Sequence, residues 1–313
     1  MSNQIELHQI ITGDGLTYNI NDNTKARYLL SSTPGNWGLP PVEYVRTRSY
    51  QQDGESELAF YLQTRRFSIS VGAEGCSRPN LWQLRQNLLN ACRPNRSGQL
   101  TYVFRSGTLQ YAILGRALSP NFPSGEDEEW YEWGYRDEIE IEAVQPWWYA
   151  YQQSIASGAQ TVGGELTFPI TFDASHIYFG SGNTWGSATI NYTGTWYAYP
   201  LITIHGAGDT FILTHVETGY RIAWLGSLST GQTLTIDLRN SYDALGNYLG
   251  VQIYDNTGAN QFNYIDPESN LLMFRIEPDG VVSGGVNTFV LSALNTDSNT
   301  TFSMTYNTAL IGI

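Results

Sequence analysis

From Glu165 to Asn307 the chain is one short run after another. ELTFPITF, SATINYT, PLITIHG, TFILTHV, TLTIDL, LLMFRI, NTFVLSAL and TFSMTYN are each a few residues long, separated by Gly, Asn, Asp and Ser turns. In a strand, successive side chains point to opposite faces, so a period of two marks a sheet with one buried side. Thr233, Thr235 and Asp237 alternate in this way with Leu234, Ile236 and Leu238. Turn residues arriving at this spacing leave little room for helices of ordinary length. Many short strands with regular turn signals predict a β-sandwich.

The first half follows the same rule with one exception. IELHQII (5–11), a Gly13-Asp14-Gly15 turn and LTYNI (16–20) read as a hairpin. A loop containing Pro34, Gly35, Gly38, Pro40 and Pro41 leads to strands over 43–50, 57–63 and 65–72. The exception is the segment 80–92. Leu81, Leu84, Leu88 and Cys92 recur there at helical spacing, flanked by Trp82 and Leu89. Pro79-Asn80 offers a start and Arg93-Pro94 a stop. These four residues are expected to pack the helix onto the sheet. Strands resume at 99–105 and 109–118, and Asp137–Val144 follows a polar loop. Pro146-Trp147-Trp148 ends that strand and suggests a boundary.

A chain of 313 residues is long enough for two domains of roughly 100–200 residues each. The expected division is 1–148, carrying the helix, and 149–313. The fold class is mainly β, with two β-sandwich domains, the first with one packed α-helix. Abundant Gly, Tyr and Trp agree with it. Cys76 and Cys92 flank the helix, which would hold its ends about 18 Å apart, too far for a disulfide. Both are expected to be free thiols.

The net charge of −13 argues against stable binding to nucleic acid or an anionic membrane. No run of about 18 apolar residues suggests a membrane span, and MSNQIELHQI has neither the basic nor the apolar part of a signal peptide. Charge is unevenly placed. Residues 43–125 carry ten Arg against five acids, whereas 126–142 carry nine acids and one Arg. Glu138, Glu140 and Glu142 share one strand face opposite Ile139, Ile141 and Ala143. A solvated surface is one reading of this pattern. Contact between copies, with acids meeting Arg46, Arg48 or Arg65, is another.

Catalytic signatures are missing from the text of the chain. His8, His176, His205 and His215 form no HExxH or paired-His spacing, and there is no G-x-S-x-G elbow. Gly13-Asp14-Gly15 and Gly206-Ala207-Gly208 do not sit between strand and helix, so they read as turns. His215-Val216-Glu217 could set an acid–base or metal pair on one strand face, but a plain exposed face is the expectation. Trp147-Trp148 and Trp130/Trp133 could be sugar platforms, and core or interface roles are more common for such residues. No catalytic, cofactor or metal residue is expected, and no cofactor.

Residues 65–122 also carry a likeness. The order RRFSISV, LWQLRQNLLNAC, Pro94 and Gly98, QLTYVF, YAILGRA and Pro120-Asn121-Phe122 resembles the N-terminal domain of siphophage distal tail proteins. GTWYAYPLITIHG, THVETGYRI, GQTLTIDL and IEPDGVVSGGVNTFVL resemble that family's galectin-like, jelly-roll type second sandwich. The resemblance implies a non-enzymatic structural subunit at the distal end of the phage tail in the virion, made in the host cytoplasm. Its implied partners are five further copies in a hexameric ring, a tail tube protein above and a tail hub or fibre protein below. Receptor-binding proteins at the rim would complete the set. In such a ring Glu138, Glu140 and Glu142 would line the channel or meet a neighbour. A carbohydrate-binding module or adhesin is the alternative. The galectin Trp-Gly-x-Glu-x-Arg signature is not matched, since Trp185-Gly186-Ser187 lacks its Glu and Arg.

Overall fold

The computed structural model describes residues 7–20, 27–32, 37–51, 53–93, 100–106, 109–121, 134–161, 184–239, 249–297 and 299–313. They fall into two compact units. One holds the described part of Met1–Gln152 together with Ala309–Ile313. The other holds that of Gln153–Ser241 and Leu249–Thr308.

The first unit contains β1 (Leu7–Ile11), β2 (Thr17–Ile20), β3 (Arg27–Ser32), β4 (Val42–Thr47), β5 (Ser56–Leu62) and β6 (Arg65–Glu74). Then come α1 (Arg78–Ala91), β7 (Leu100–Ser106), β8 (Leu109–Asn121), β9 (Gly134–Ala143) and the start of β10 (Trp148–Thr161). Seven of these strands pair in a closed circuit, β1-β2-β3-β6-β9-β8-β7 and back to β1. The sandwich is thus joined at both sides around one core. The long strand β8 closes one side by changing partner. Up to Gly115 it pairs β7, and from Arg116 it pairs β9. Gly115 suits that crossing, because a Cβ there would meet Ile141 Cγ2 at 2.6 Å and the Glu142 carbonyl oxygen at 3.0 Å.

Alternation supplies the core. Phe67, Ile69, Val71 and Ala73 of β6 face inward beside Ile139, Ile141 and Ala143 of β9, and all are buried. Each such burial contributes on the order of 1–3 kcal/mol. One end of this core is aromatic, with Trp37, Phe67, Tyr102, Phe104 and Trp148 gathered around His8. His8 Nδ1 meets the Tyr102 hydroxyl. Burial holds the His8 imidazole down at about 4, so it is neutral in the folded chain near pH 7.

The hairpin of β4 and β5 stands outside the circuit as a separate two-stranded sheet. Gln63 N–H donates to the Pro41 carbonyl at 2.8 Å and closes its base.

The second unit continues β10 and adds β11 (Thr184–Asn191), β12 (Leu201–His205), β13 (Gly208–His215), β14 (Arg221–Leu228) and β15 (Thr233–Asp237). The set ends with β16 (Gln252–Asp255), β17 (Val286–Leu294) and β18 (Thr301–Leu310). One sheet runs β14-β13-β17-β11-β10, the other β16-β15-β12-β18-β10, and β10 belongs to both. The inward faces pack Ile202, Ile204, Leu234, Ile236, Phe302 and Met304 against Phe211, Leu213, Trp224, Phe289 and Leu291. This is the two-layer arrangement that alternation predicts. The Gly206-Ala207-Gly208 motif is the β12–β13 turn. Gly206 has φ 107°, and a Cβ on it would stand 2.7 Å from Thr300 Cα.

Candidate interaction site

The helix is built as its apolar stripe requires, with one adjustment at its start. Ser77 is the N-cap, its hydroxyl accepting from Asn80 N–H at 3.4 Å, and Pro79 lies in the first turn, where no donor is missed. Leu81, Leu88 and Cys92 are buried in the first core, and Leu84 packs against it half-buried. Ala91 is buried as well. Cys92 is a free buried thiol and Cys76 a free exposed one. Away from or beside that stripe α1 carries exposed Arg78 and Trp82 and half-buried Arg85, with the Arg85 guanidinium 5.4 Å from the centre of a Trp82 ring.

Glu138, Glu140 and Glu142 do share the outer face of β9. Their register partners on β6 are Ser70, Ser68 and Arg66. Glu138 is exposed and the other two are half-buried. Glu142 has its charge answered within the chain. Arg66 donates from Nε and Nη2 to Glu142 Oε1 at 2.9 and 2.8 Å, and Arg116 is its register partner on β8. The open acidic face is therefore carried by Glu138 and Glu140.

The three arginines grouped in the sequence separate in the fold. Arg46 stands on the hairpin, over the Tyr44 ring at 5.5 Å and 3.8 Å from Glu55. Arg48 is exposed near the hairpin tip. Arg65 is fully buried, which corrects its expected place at a subunit contact. Its Nε donates to the Pro146 carbonyl at 2.7 Å, Nη1 to Gly38 at 2.8 Å and Nη2 to Ile311 at 2.7 Å. Burial lowers its pKa to about 10, leaving it charged at neutral pH. The side chain pins three separate stretches of the first unit together and presents nothing to a neighbour.

His215 and Glu217 do not form the exposed strand face expected of them. His215 ends β13 fully buried, stacked on Phe289 with ring centres 4.6 Å apart, and its Nδ1 lies 2.9 Å from Thr218 Oγ1. Glu217 sits in the following turn, where Oε2 accepts from Thr288 N–H at 2.8 Å and lies 3.2 Å from His215 Nε2. Burial lowers the His215 pKa against the opposing pull of Glu217 and Glu277. Trp148 is buried in the aromatic core. Trp147 is half-buried, and its indole N–H donates to the Tyr149 hydroxyl. Trp130 and Trp133 lie outside the described residues.

One polar cluster had no marker in the sequence. Glu277 is buried, accepts from Arg275 Nε at 2.7 Å, and its backbone N–H donates to Asn287 Oδ1 at 2.7 Å. The Arg275 guanidinium lies 3.9 Å from the centre of the Tyr197 ring. Burial acts to lower the Arg275 pKa, and Glu277 and Tyr199 outweigh it, so the net shift is upward. Arg275 and Glu277 are two apart on one face, and Asn287 arrives from β17. That meeting is tertiary, which is why local spacing is silent about it. Among the described residues, no group of three or more His, Cys, Asp or Glu is placed to hold a metal ion, and no helix is long and apolar enough to cross a membrane.

No family profile matches the chain, and no curated protein matches it in sequence. Solved structures do match in fold. The Dit protein of phage SPP1, described as a paradigm of the hub adsorption apparatus in phages infecting Gram-positive bacteria, aligns with a TM-score of 0.60 at 11% identity. The alignment covers 96% of this chain and 98% of that one. Two structures of the phage P2 baseplate in its activated conformation, with Ca and with Sr, each align with a TM-score of 0.51 at 12% identity, again over 96% and 98%. The chain has the fold of phage hub and baseplate proteins over nearly its whole length, and the distal-tail resemblance is met at the level of fold.

Proposed function

We propose that the chain is a structural ring subunit of a bacteriophage tail tip. Six copies close a ring that joins the tail tube above to the hub or fibre below, at the distal end of the virion's tail. The observation that carries this reading is the fold shared with the SPP1 Dit protein across 96% of the chain. In this reading the chain is not an enzyme. Residues 1–148 are the ring-forming domain and 149–313 a galectin-like sandwich facing the adsorption apparatus. The compact units support that division, with the addition that Ala309–Ile313 packs with the first. Ring closure needs a heterologous contact whose rotation closes. Glu138 and Glu140 would face a DNA channel, where carboxylates repel phosphate and let it slide.

Native mass spectrometry or electron microscopy of the purified protein tests this. A ring has six times the 35.0 kDa of one chain. A single chain at high concentration, with no ring on co-expression with the neighbouring tail proteins, overturns the proposal.

A further inference from the structure

The β4–β5 hairpin is an isolated sheet with apolar side chains left in solvent. Tyr44 and Phe60 are register partners, and Leu58 lies close by at the bulge where the register shifts. Leu58 is 66% exposed, Phe60 52% and Tyr44 48%. Val45 and Tyr61 are exposed too, and Tyr50 stands almost bare at the tip. Two-stranded hairpins are marginal in water unless something covers a face. Clustered exposed apolar groups rimmed by charge mark a docking surface. Among the described residues each circuit strand pairs on both sides, whereas β4 and β5 pair only with each other.

Charge selects the occupant. Residues 42–62 carry Glu43, Asp53, Glu55 and Glu57 against Arg46 and Arg48, a net of −2. Residues 75–93, which hold α1, carry Arg78, Arg85 and Arg93 with no acid, a net of +3. The outer face of α1 also presents Trp82, 51% exposed, between Arg78 and Arg85. An acidic, aromatic arm and a basic face with an exposed indole are complementary in both charge and apolar character. Two copies can join them in the same way at every step around a ring.

We infer that the β4–β5 hairpin of one copy docks on the outer face of α1 of the next copy, with Tyr44, Leu58 and Phe60 against Trp82 and the hairpin acids against Arg78 and Arg85. The inference rests on the ring reading above. The contact is heterologous, so each copy gives a hairpin on one side and receives one on the other.

Charge reversal on the full chain tests it, read by native mass. Glu55→Arg with Glu57→Arg should shift the protein from ring to single chain, and so should Arg78→Glu with Arg85→Glu. Glu55, Glu57 and Arg78 are exposed and Arg85 is half-buried, and thermal melts check that each variant is folded. Mixing the two folded variants should restore a ring of alternating copies, because every interface then pairs an arm and a face of opposite sign. Failure of the mixture to assemble, or an intact ring in either variant alone, overturns the docking assignment while wild-type rings still stand. A wild type that forms no ring overturns the ring reading and this inference together. A photo-crosslinker at position 58 should link to a peptide containing residue 82 of another copy, and linkage elsewhere in a wild-type ring overturns the assignment.

Discussion

A buried arginine is costly unless its donors are answered. Arg65 donates to three backbone carbonyls, at Pro146, Gly38 and Ile311. Its guanidinium fork replaces three contacts that no single neutral side chain could make. Arg65→Met should therefore lower stability by about 3 kcal/mol or more, since it strips charge-assisted bonds and leaves buried carbonyls unanswered. Arg65→Lys should recover part of that loss, because one ammonium cannot reach all three sites. Urea midpoints of the three proteins check this, and an unchanged midpoint for Arg65→Met would sink the pinning role. Nothing in the sequence separates Arg65 from Arg66 next door. One step of strand alternation turns the first into the core and the second toward Glu142, and only the register with β9 says which is which. His215 shows the same limit. Its spacing to Glu217 looks like a shared exposed face, but the strand stops at His215 in the core, and Glu217, in the turn that follows, folds its carboxylate back onto Thr288 and His215.

At the scale of elements, alternation was legible wherever one face is buried. The strand carrying Ile139, Ile141 and Ala143 lies where its period places it, and so do those around Ile236 and Leu291. The helix was legible too, since four apolar positions on one stripe have no strand equivalent. Its start lies earlier than the sequence suggests, because Pro79 looks like a boundary while Ser77 makes the cap. Leu88 is 1% exposed, and Leu88→Ala should cost roughly 2–5 kcal/mol, as truncations in a packed core do. Leu84 is only half-buried, so Leu84→Ala should fall at or below the low end of that range. Thermal melts rank the two. Equal melting temperatures for Leu88→Ala and wild type would mean the helix does not hold to the sheet through this stripe. In the sequence the hairpin looks like two ordinary strands. Its separation from the closed circuit depends on which strands pair, and pairing over long separations leaves no local mark.

For the whole molecule, the acidic strand decides between two accounts of the proposed ring. In one, Glu138 and Glu140 face a channel through which DNA moves. In the other, they meet basic groups of the next copy. The pairing of Glu142 with Arg66 inside the chain shifts the balance. Of Arg46, Arg48 and Arg65, the arginines the docking account sets against this strand, Arg65 is buried, which leaves Arg46 and Arg48. Arg46 already has Glu55 within 3.8 Å. Two carboxylates left without partners in an interface would be strongly unfavourable, whereas in a water-filled channel they stay solvated. Glu138→Gln with Glu140→Gln, leaving Glu142 in place, should therefore keep the ring and raise its retention of duplex DNA. Phosphate repulsion is long-ranged at low ionic strength, so the difference should be largest there and shrink as salt screens it. Native mass and DNA retention on the same samples separate the accounts. If the double change dissolves the ring, and high salt does the same to wild type, the acids are docking charges and the channel account fails.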